Sequence, residues 1–270
     1  MNILGIDTTT HELTVAVNVD SSIQSFSKGI NLKKHMVAIM GCIDQALKKA
    51  GMDITDIDLY AADIGPGDFT GTRIGLSVAK TLAWARGKPV YGINVLDALA
   101  LQCFYSNLRA FKKFLLEGKE IVVAVCMDVR RSEIFSGFYN IAADTPMAKL
   151  KESRCSEGSL DPIYCSKDLS LNKTLPYRLE NHKQLQQVIS PLAAGRDKFL
   201  YVCGNAPAAY KQLFKQMAGA NKNITIDYKT DVPHAGHINL CAFFKHQKGC
   251  PQQNLQPYYV RDFIPFGGVK

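Results

Sequence analysis

No Cys-x-x-Cys spacing links the eight cysteines of this 270-residue chain (Cys42, Cys103, Cys126, Cys155, Cys165, Cys203, Cys241 and Cys250), which removes the paired-thiol zinc and redox motifs. Most of them sit inside apolar runs and are expected as reduced core thiols of a cytosolic protein. No segment approaches the roughly 20 apolar residues of a membrane span, and Met1 to Asp7 carries no basic leader. A cytoplasmic location without membrane contact is the expectation. The six histidines contain no His-Glu-x-x-His, so metalloprotease chemistry has no motif to stand on. His234-x-x-His237-x-x-x-Cys241 has a spacing that zinc could use, yet it lacks a carboxylate companion and follows a proline, where helices commonly begin. Neither a Gly-x-Ser-x-Gly elbow nor a Gly-x-x-x-x-Gly-Lys-Ser/Thr phosphate loop is present. No catalytic residue is assigned, and no metal ligand.

What is present is globular. Apolar residues make up 47% of the chain, and its length suits one two-lobed unit or two modest domains. The formal net charge is +8 with a pI near 9.0, a balance that permits an acidic partner such as RNA. The lysine pairs Lys33-Lys34, Lys48-Lys49 and Lys112-Lys113 read most simply as solvated helix faces.

The stretch from Asp63 to Val95 organises the rest. A short apolar run meets Gly65-Pro66-Gly67, where glycine supplies positive φ and proline fixes the turn. Asp68 is a good N-cap for a helix that runs to Arg86 and stops at Gly87 and Pro89, before a strand at Val90 to Ile93. In that helix Gly71, Gly75, Ala79 and Ala83 form a bare stripe, and Ile74, Val78, Leu82 and Ala85 a bulkier one suited to lying on a sheet. Each mid-helix glycine costs about 1 kcal/mol relative to alanine, so close packing must compensate. The close partner is either within the chain or a second subunit. The loop from Gly65 to Arg73 resembles a phosphate cradle, but the Asp68 carboxylate satisfies the helix dipole and would repel a phosphate there. Gly65, Pro66, Gly67, Asp68 and Arg73 are therefore expected as a structural loop.

Asn2 to Ile6 reads as a strand ending in Asp7-Thr8-Thr9-Thr10, and Leu13 to Val19 and Ile23 to Ser27 alternate as two more. Actin-like and sugar-kinase-like folds place a phosphate or magnesium contact at such a turn, so Asp7, Thr8 and Thr9 are candidate cofactor-binding residues, although Asp and Thr are also ordinary turn residues. From Lys33 the positions Met36, Ile39, Met40, Ile43, Ala46, Leu47 and Ala50 follow a helical period closed by Gly51. Leu96 to Leu116 looks helical, and Glu120 to Met127 and Ile134 to Tyr139 flank a charged turn, repeating the opening hairpin. Two similar halves suggest duplication. Within 141–197 the pattern predicts only a strand near Ile163 and a helix near Lys183 to Ile189. Later come a strand at Lys198 to Cys203, a helix through Met217, a strand at Ile224 to Tyr228, a helix from His237 to His246 and an extended tail.

Three motifs together resemble the TsaB (YeaZ) family: Ile3-Leu4-Gly5-Ile6-Asp7-Thr8-Thr9; Gly65-Pro66-Gly67-x-Phe69-Thr70-Gly71-x-Arg73-Ile74-Gly75; and Asp128-x-Arg130-Arg131-x-Glu133-Ile134-Phe135. The tail Pro257-Tyr258-Tyr259-Val260-Arg261 also looks like that family's ending. The family's loop usually has serine where this chain has Asp68. The resemblance implies an α/β, actin-like, ribonuclease-H-like duplicated fold of two lobes with mixed sheets flanked by helices. The expected lobes are 1–105 and 106–270, with the C-terminal segment packing back on the first. It further implies a non-catalytic scaffold subunit of the machinery that makes threonylcarbamoyladenosine (t6A) in tRNA. Such a subunit binds a TsaD-like transferase, is joined by a TsaE-like ATPase, forms a homodimer when alone and meets tRNA through the complex. It has no cofactor of its own, ATP or ADP being left to the subunit junction. The contact is expected on the first-lobe helices, at His35, Met36, Ile39, Met40, Ile43, Gly71, Gly75, Ala79 and Ala83. The competing readings are an independent actin-like ATPase or kinase using Asp7, Thr8, Thr9 and the Gly204 turn, and a metalloendopeptidase.

Overall fold

A computed structural model describes residues 1–30, 35–143, 162–165, 169–250 and 255–258. Strands β1 (Asn2–Asp7), β2 (Glu12–Val19) and β3 (Ser22–Ile30) open the chain as an antiparallel meander. Helix α1 (His35–Ala50) follows and ends at Gly51, whose φ of 68° is the left-handed conformation that glycine adopts without a Cβ clash. Strand β4 (Leu59–Gly65), helix α2 (Phe69–Arg86) and strand β5 (Val90–Asn94) complete the first sheet in the order β3-β2-β1-β4-β5, with β1, β4 and β5 parallel. Parallel neighbours need a covered crossover, and α2 supplies it.

The apolar segment expected as one helix is two, α3 (Val95–Ser106) and α4 (Leu108–Leu116). The break falls at Asn107, whose side-chain amide donates to the Cys103 carbonyl and competes with the helical ladder. Strands β6 (Glu120–Asp128), β7 (Glu133–Ala143), β8 (Pro162–Cys165), β9 (Leu169–Lys173) and β10 (Arg178–Asn181) come next, then α5 (His182–Leu192) and β11 (Lys198–Cys203). Two short helices, α6 (Ala206–Ala209) and α7 (Lys211–Ala220), precede β12 (Ile224–Ile226) and the last helix, α8 (Ala235–Gln247). The second sheet runs β12-β11-β6-β7-β9-β8, with β10 beside β7. Its segment β9-β7-β6-β11-β12 repeats the order of the first sheet, so the chain holds the same plan twice. Strands β9 and β10 lie in the stretch whose polar, mixed pattern gave no strand signal.

Helices α1 and α2 cover one face of the first sheet, α1 over β2 and β3 and α2 over β1 and β4. The other face is covered by α8, from the far end of the chain. Gly5 makes that docking close: a Cβ there would overlap the Asn239 side chain, whose amide donates to Ile3 O, Ala16 O and Asn18 Oδ1 at 2.9 to 3.1 Å. In the second lobe α3 and α4 lie on one face and α5 and α7 on the other. One apolar core runs through both lobes, joining Ile3, Ala61 and Ile93 to Leu99, Phe104, Val123 and Cys241. Residues 255–258 return to the first lobe, where the Tyr258 N–H donates to Ile64 O at 2.6 Å and Lys80 Nζ to Leu255 O at 3.2 Å. Tyr259, Val260 and Arg261 of the expected tail lie outside the described residues.

Among the described residues the expectation of reduced thiols fails at Cys250. Cys42, Cys103, Cys126, Cys203 and Cys241 are free and buried, but Cys250 is disulfide-bonded. Among the described residues no helix is long and apolar enough to cross a membrane.

Candidate functional site

The glycine loop and the β1–β2 turn are built against each other. Gly65 takes a φ of 105°, as a turn glycine does, whereas Gly67 is needed for space: a Cβ there would overlap Thr9. The Asp68 N–H donates to Thr9 O at 2.7 Å, and its carboxylate caps α2 by accepting the Gly71 N–H at 2.7 Å. Arg73 lies over the Phe69 ring at 3.9 Å. Asp7 Oδ1 accepts both the N–H and the hydroxyl of Thr9. The Thr8 hydroxyl donates to Gly71 O at 2.6 Å and accepts the Gly75 N–H at 3.1 Å. Asp7, Thr8 and Thr9 are all buried. The polar groups expected to face a cofactor thus face one another and the first turns of α2.

This geometry corrects the expected partner contact. Gly71, Gly75, Ala79 and Ala83 are buried against the chain's own strands. A Cβ at Gly71 would overlap the Thr8 carbonyl oxygen, and one at Gly75 the Thr8 hydroxyl. The bare stripe exists so that the β1–β2 turn can reach the helix backbone. Ile74, Val78 and Leu82, expected on the sheet, are half-buried on the flank of the helix, and Ala85 is exposed. On α1, Ile39 and Ile43 are each 1% exposed and also belong to the core, so they too are corrected as contact residues. Met36 and Met40 remain outside, 74% and 49% exposed, with Val37 at 82% between them. The His35 side chain lies outside the described part. Val37 escaped the sequence reading because it falls off the helical period; an apolar residue on the polar side of an amphipathic helix is the signal that marks it.

At the lobe junction sits a buried acidic group. Asp63 lies beside Asp7, and burial, then the Asp7 charge and a bond to its carboxyl, then Asp97, push the Asp63 carboxyl well above the usual carboxylate range. Neither Asp63 oxygen has an N–H or O–H donor among the described residues, which agrees with the upward push on its carboxyl. Asp97 instead accepts the hydroxyls of Tyr139 and Tyr177 at 2.9 and 2.6 Å, tying α3 to the second lobe. Burial, and then the Asp97 charge, raise both phenols.

The histidine and cysteine run at α8 is structural in its contacts. His234 is the N-cap, its Nδ1 accepting the Gly236 N–H at 3.0 Å while its ring stacks on Phe26. Burial, then the neighbouring His234, lower His237 to about 3. Among the described residues no group of three or more His, Cys, Asp or Glu side chains could hold a metal ion.

The duplicated halves, their matching strand orders and the helices shared between lobes define a two-lobed α/β protein of the actin-like, ribonuclease-H-like class. A family model described as "TsaD: tRNA N6-adenosine threonylcarbamoyltransferase" matches residues 27–160. The chain is 30% identical over 139 residues to the "tRNA threonylcarbamoyladenosine biosynthesis protein TsaB" of Bacillus subtilis and 33% identical over 139 residues to that of Escherichia coli, covering 52% of this chain and 55% of each relative. It therefore spans about half the length of these curated relatives. Over the whole fold it is similar to "YeaZ from Pseudomonas aeruginosa", with a TM-score of 0.65 at 18% identity, covering 96% of this chain and 99% of the other. A second Pseudomonas aeruginosa structure, "an uncharacterized protein with similarity to peptidase YEAZ", gives 0.68 at 21% identity with the same coverage. The chain is thus similar in sequence to TsaB proteins over about half of its length, and in fold to the YeaZ structures.

Proposed function

We propose that this chain is a non-catalytic subunit in the synthesis of threonylcarbamoyladenosine in tRNA, and that it docks a TsaD-like transferase through the exposed side of α1. The observation that carries the proposal is the exposure of Met36, Val37 and Met40 on a helix whose other side is already committed to the core. An apolar strip of this kind is costly in water and marks a contact surface, and methionine adapts its shape to a partner. Ile74, Val78 and Leu82 of α2 are half-buried and pack against the same core. Support for the pathway comes from the relatives named for t6A biosynthesis and from the match to a transferase family model. The same surface would form a homodimer when the transferase is absent. A TsaE-like ATPase, with ATP or ADP at a subunit junction, would join the pair, and tRNA would meet the assembly. The proposal places the chain in the cytoplasm.

The test is reconstitution. A TsaD-like transferase, a TsaE-like ATPase, ATP, a threonylcarbamoyl donor and an unmodified tRNA transcript should form t6A only when this chain is added. Full activity without it would remove the proposal.

A further inference from the structure

The net charge of +8 is not shared between the lobes. Residues 1–105 carry nine Lys and Arg against ten Asp and Glu, whereas residues 106–270 carry 23 against 14. Part of that excess is concentrated on the outer face of α5 and α7. Neither helix contains an Asp or a Glu, and none occurs anywhere from Lys198 to Ile226. Lys183, Arg196, Lys211, Lys215 and Lys222 are exposed there, and none forms an ion pair with a described residue. The remaining exposed side chains of the two helices are rich in amides: Gln184, Gln187, Gln212 and Gln216.

The two helices form one fixed platform. The His182 and Tyr210 rings meet at 4.4 Å where α5 and α7 begin, and at their far ends the Asn221 and Asn223 side chains donate to Ala193 O at 3.0 and 3.3 Å. They therefore lie side by side in the same direction, and at 1.5 Å per residue the platform is about 15 Å long. Lys183 and Lys211 stand at its N-terminal end, Lys215 midway, and Arg196 and Lys222 at its C-terminal end. The exposed Arg130 and Arg131 adjoin the N-terminal end, because the Tyr210 hydroxyl bonds Asp128 of their turn at 2.8 Å.

In the duplicated plan α5 and α7 occupy the place that α1 and α2 hold in the first lobe. The first pair presents Met36, Val37 and Met40; the second presents cations and amides, with its apolar side chains Leu185, Ile189, Phe214 and Met217 all buried beneath. A site equivalent in position but opposite in chemistry calls for a different partner. Lysines spread over about 15 Å match about four successive phosphates of one strand, and the two helices themselves carry no carboxylate to cancel their field. Amide side chains add donors for phosphate and sugar oxygens.

We propose that the α5–α7 face of the second lobe binds the sugar–phosphate backbone of a structured RNA. This goes beyond the docking proposal and does not require it, since the isolated chain should bind. The experiment is fluorescence anisotropy of the full chain with a labelled tRNA transcript between about 50 and about 200 mM salt, where phosphate contacts lose affinity steeply. Lys183→Gln/Lys211→Gln/Lys215→Gln should raise Kd at least tenfold and flatten the log–log salt slope by about three, one for each lost contact. The first-lobe variant Lys48→Gln/Lys49→Gln/Lys80→Gln should stay within twofold of the parent. All three proteins are first matched by circular dichroism and thermal melting. Equal loss in both variants, an unchanged slope in the first, or equally tight binding of poly-glutamate by the parent would overturn the proposal.

Discussion

The Thr8 hydroxyl stands between the Gly71 carbonyl and the Gly75 N–H, the two groups that an unbroken α2 would pair with each other. A side chain from the β1–β2 turn thus bonds both members of one i→i−4 pair of the central helix. Only glycine at 71 and 75 leaves room for it.

Gly75→Ala is therefore expected to lower stability by roughly 1–3 kcal/mol, the usual range for forcing a methyl into a filled site. Thr8→Ala alone should cost about 0.5–1.5 kcal/mol, the net worth of a hydrogen bond, since Gly71 O and Gly75 N–H can still pair with each other along the helix. The double variant should cost less than the two costs added, because removing the hydroxyl makes space for the methyl. Denaturant melts of the three variants measure this, and strict additivity would show that the two residues are not coupled.

Asp63 sets a pH dependence. Its carboxyl is held above the unfolded value of about 4 by burial and by Asp7. The folded chain therefore binds a proton that the unfolded chain releases, and this contribution to stability falls as pH rises above about 4. Asp63→Asn has no such proton to lose. Its stability, compared with the parent by urea melts across pH 4 to pH 8, should be the flatter curve.

His237 acts with the opposite sign. Burial depresses its pKa to about 3, so the unfolded chain takes up a proton near pH 6.5 that the folded chain refuses. Stability should fall as pH drops from about 6.5 toward 3. His237→Phe should remove that part of the acid slope, and an unaltered slope would mean that the ring is protonated in the fold.

Asp97 depends on two phenols from the second lobe. Tyr177→Phe removes one hydrogen bond to a charged acceptor, worth about 1.5–3 kcal/mol. Tyr139→Phe should cost a similar amount. Differential scanning calorimetry of each variant checks this, and no change in Tm for either would show that Asp97 has other donors.

The first lobe was legible in the sequence because each of its signals is local. Asp68 as N-cap, Gly87 with its φ of 61° as helix stop, and Gly51 at the end of α1 all hold. The inner and outer sides of α2 were not legible. A stripe of small residues says that something comes close, but Thr8, 63 residues before Gly71, is what comes close, and spacing along one helix carries no such information. The same limit hid α8: its apolar pattern shows a buried helix, while its place on the first sheet depends on Gly5 and Asn239 meeting across the chain. Strands β9 and β10 were missed because residues such as Asn172, Lys173, Arg178 and Asn181 lack alternation and gain their pairing from β7 and, for β9, also from β8.

The most direct test of the docking account is isothermal titration of a TsaD-like transferase into the purified chain, parent against Met36→Asp/Met40→Asp. Both positions are exposed, so the variant should melt as the parent does. The account predicts a one-to-one complex for the parent and at least a tenfold weaker one for the variant, with Gly75→Ala, if folded, binding as the parent. Parent-like affinity in the Met36→Asp/Met40→Asp protein would contradict it.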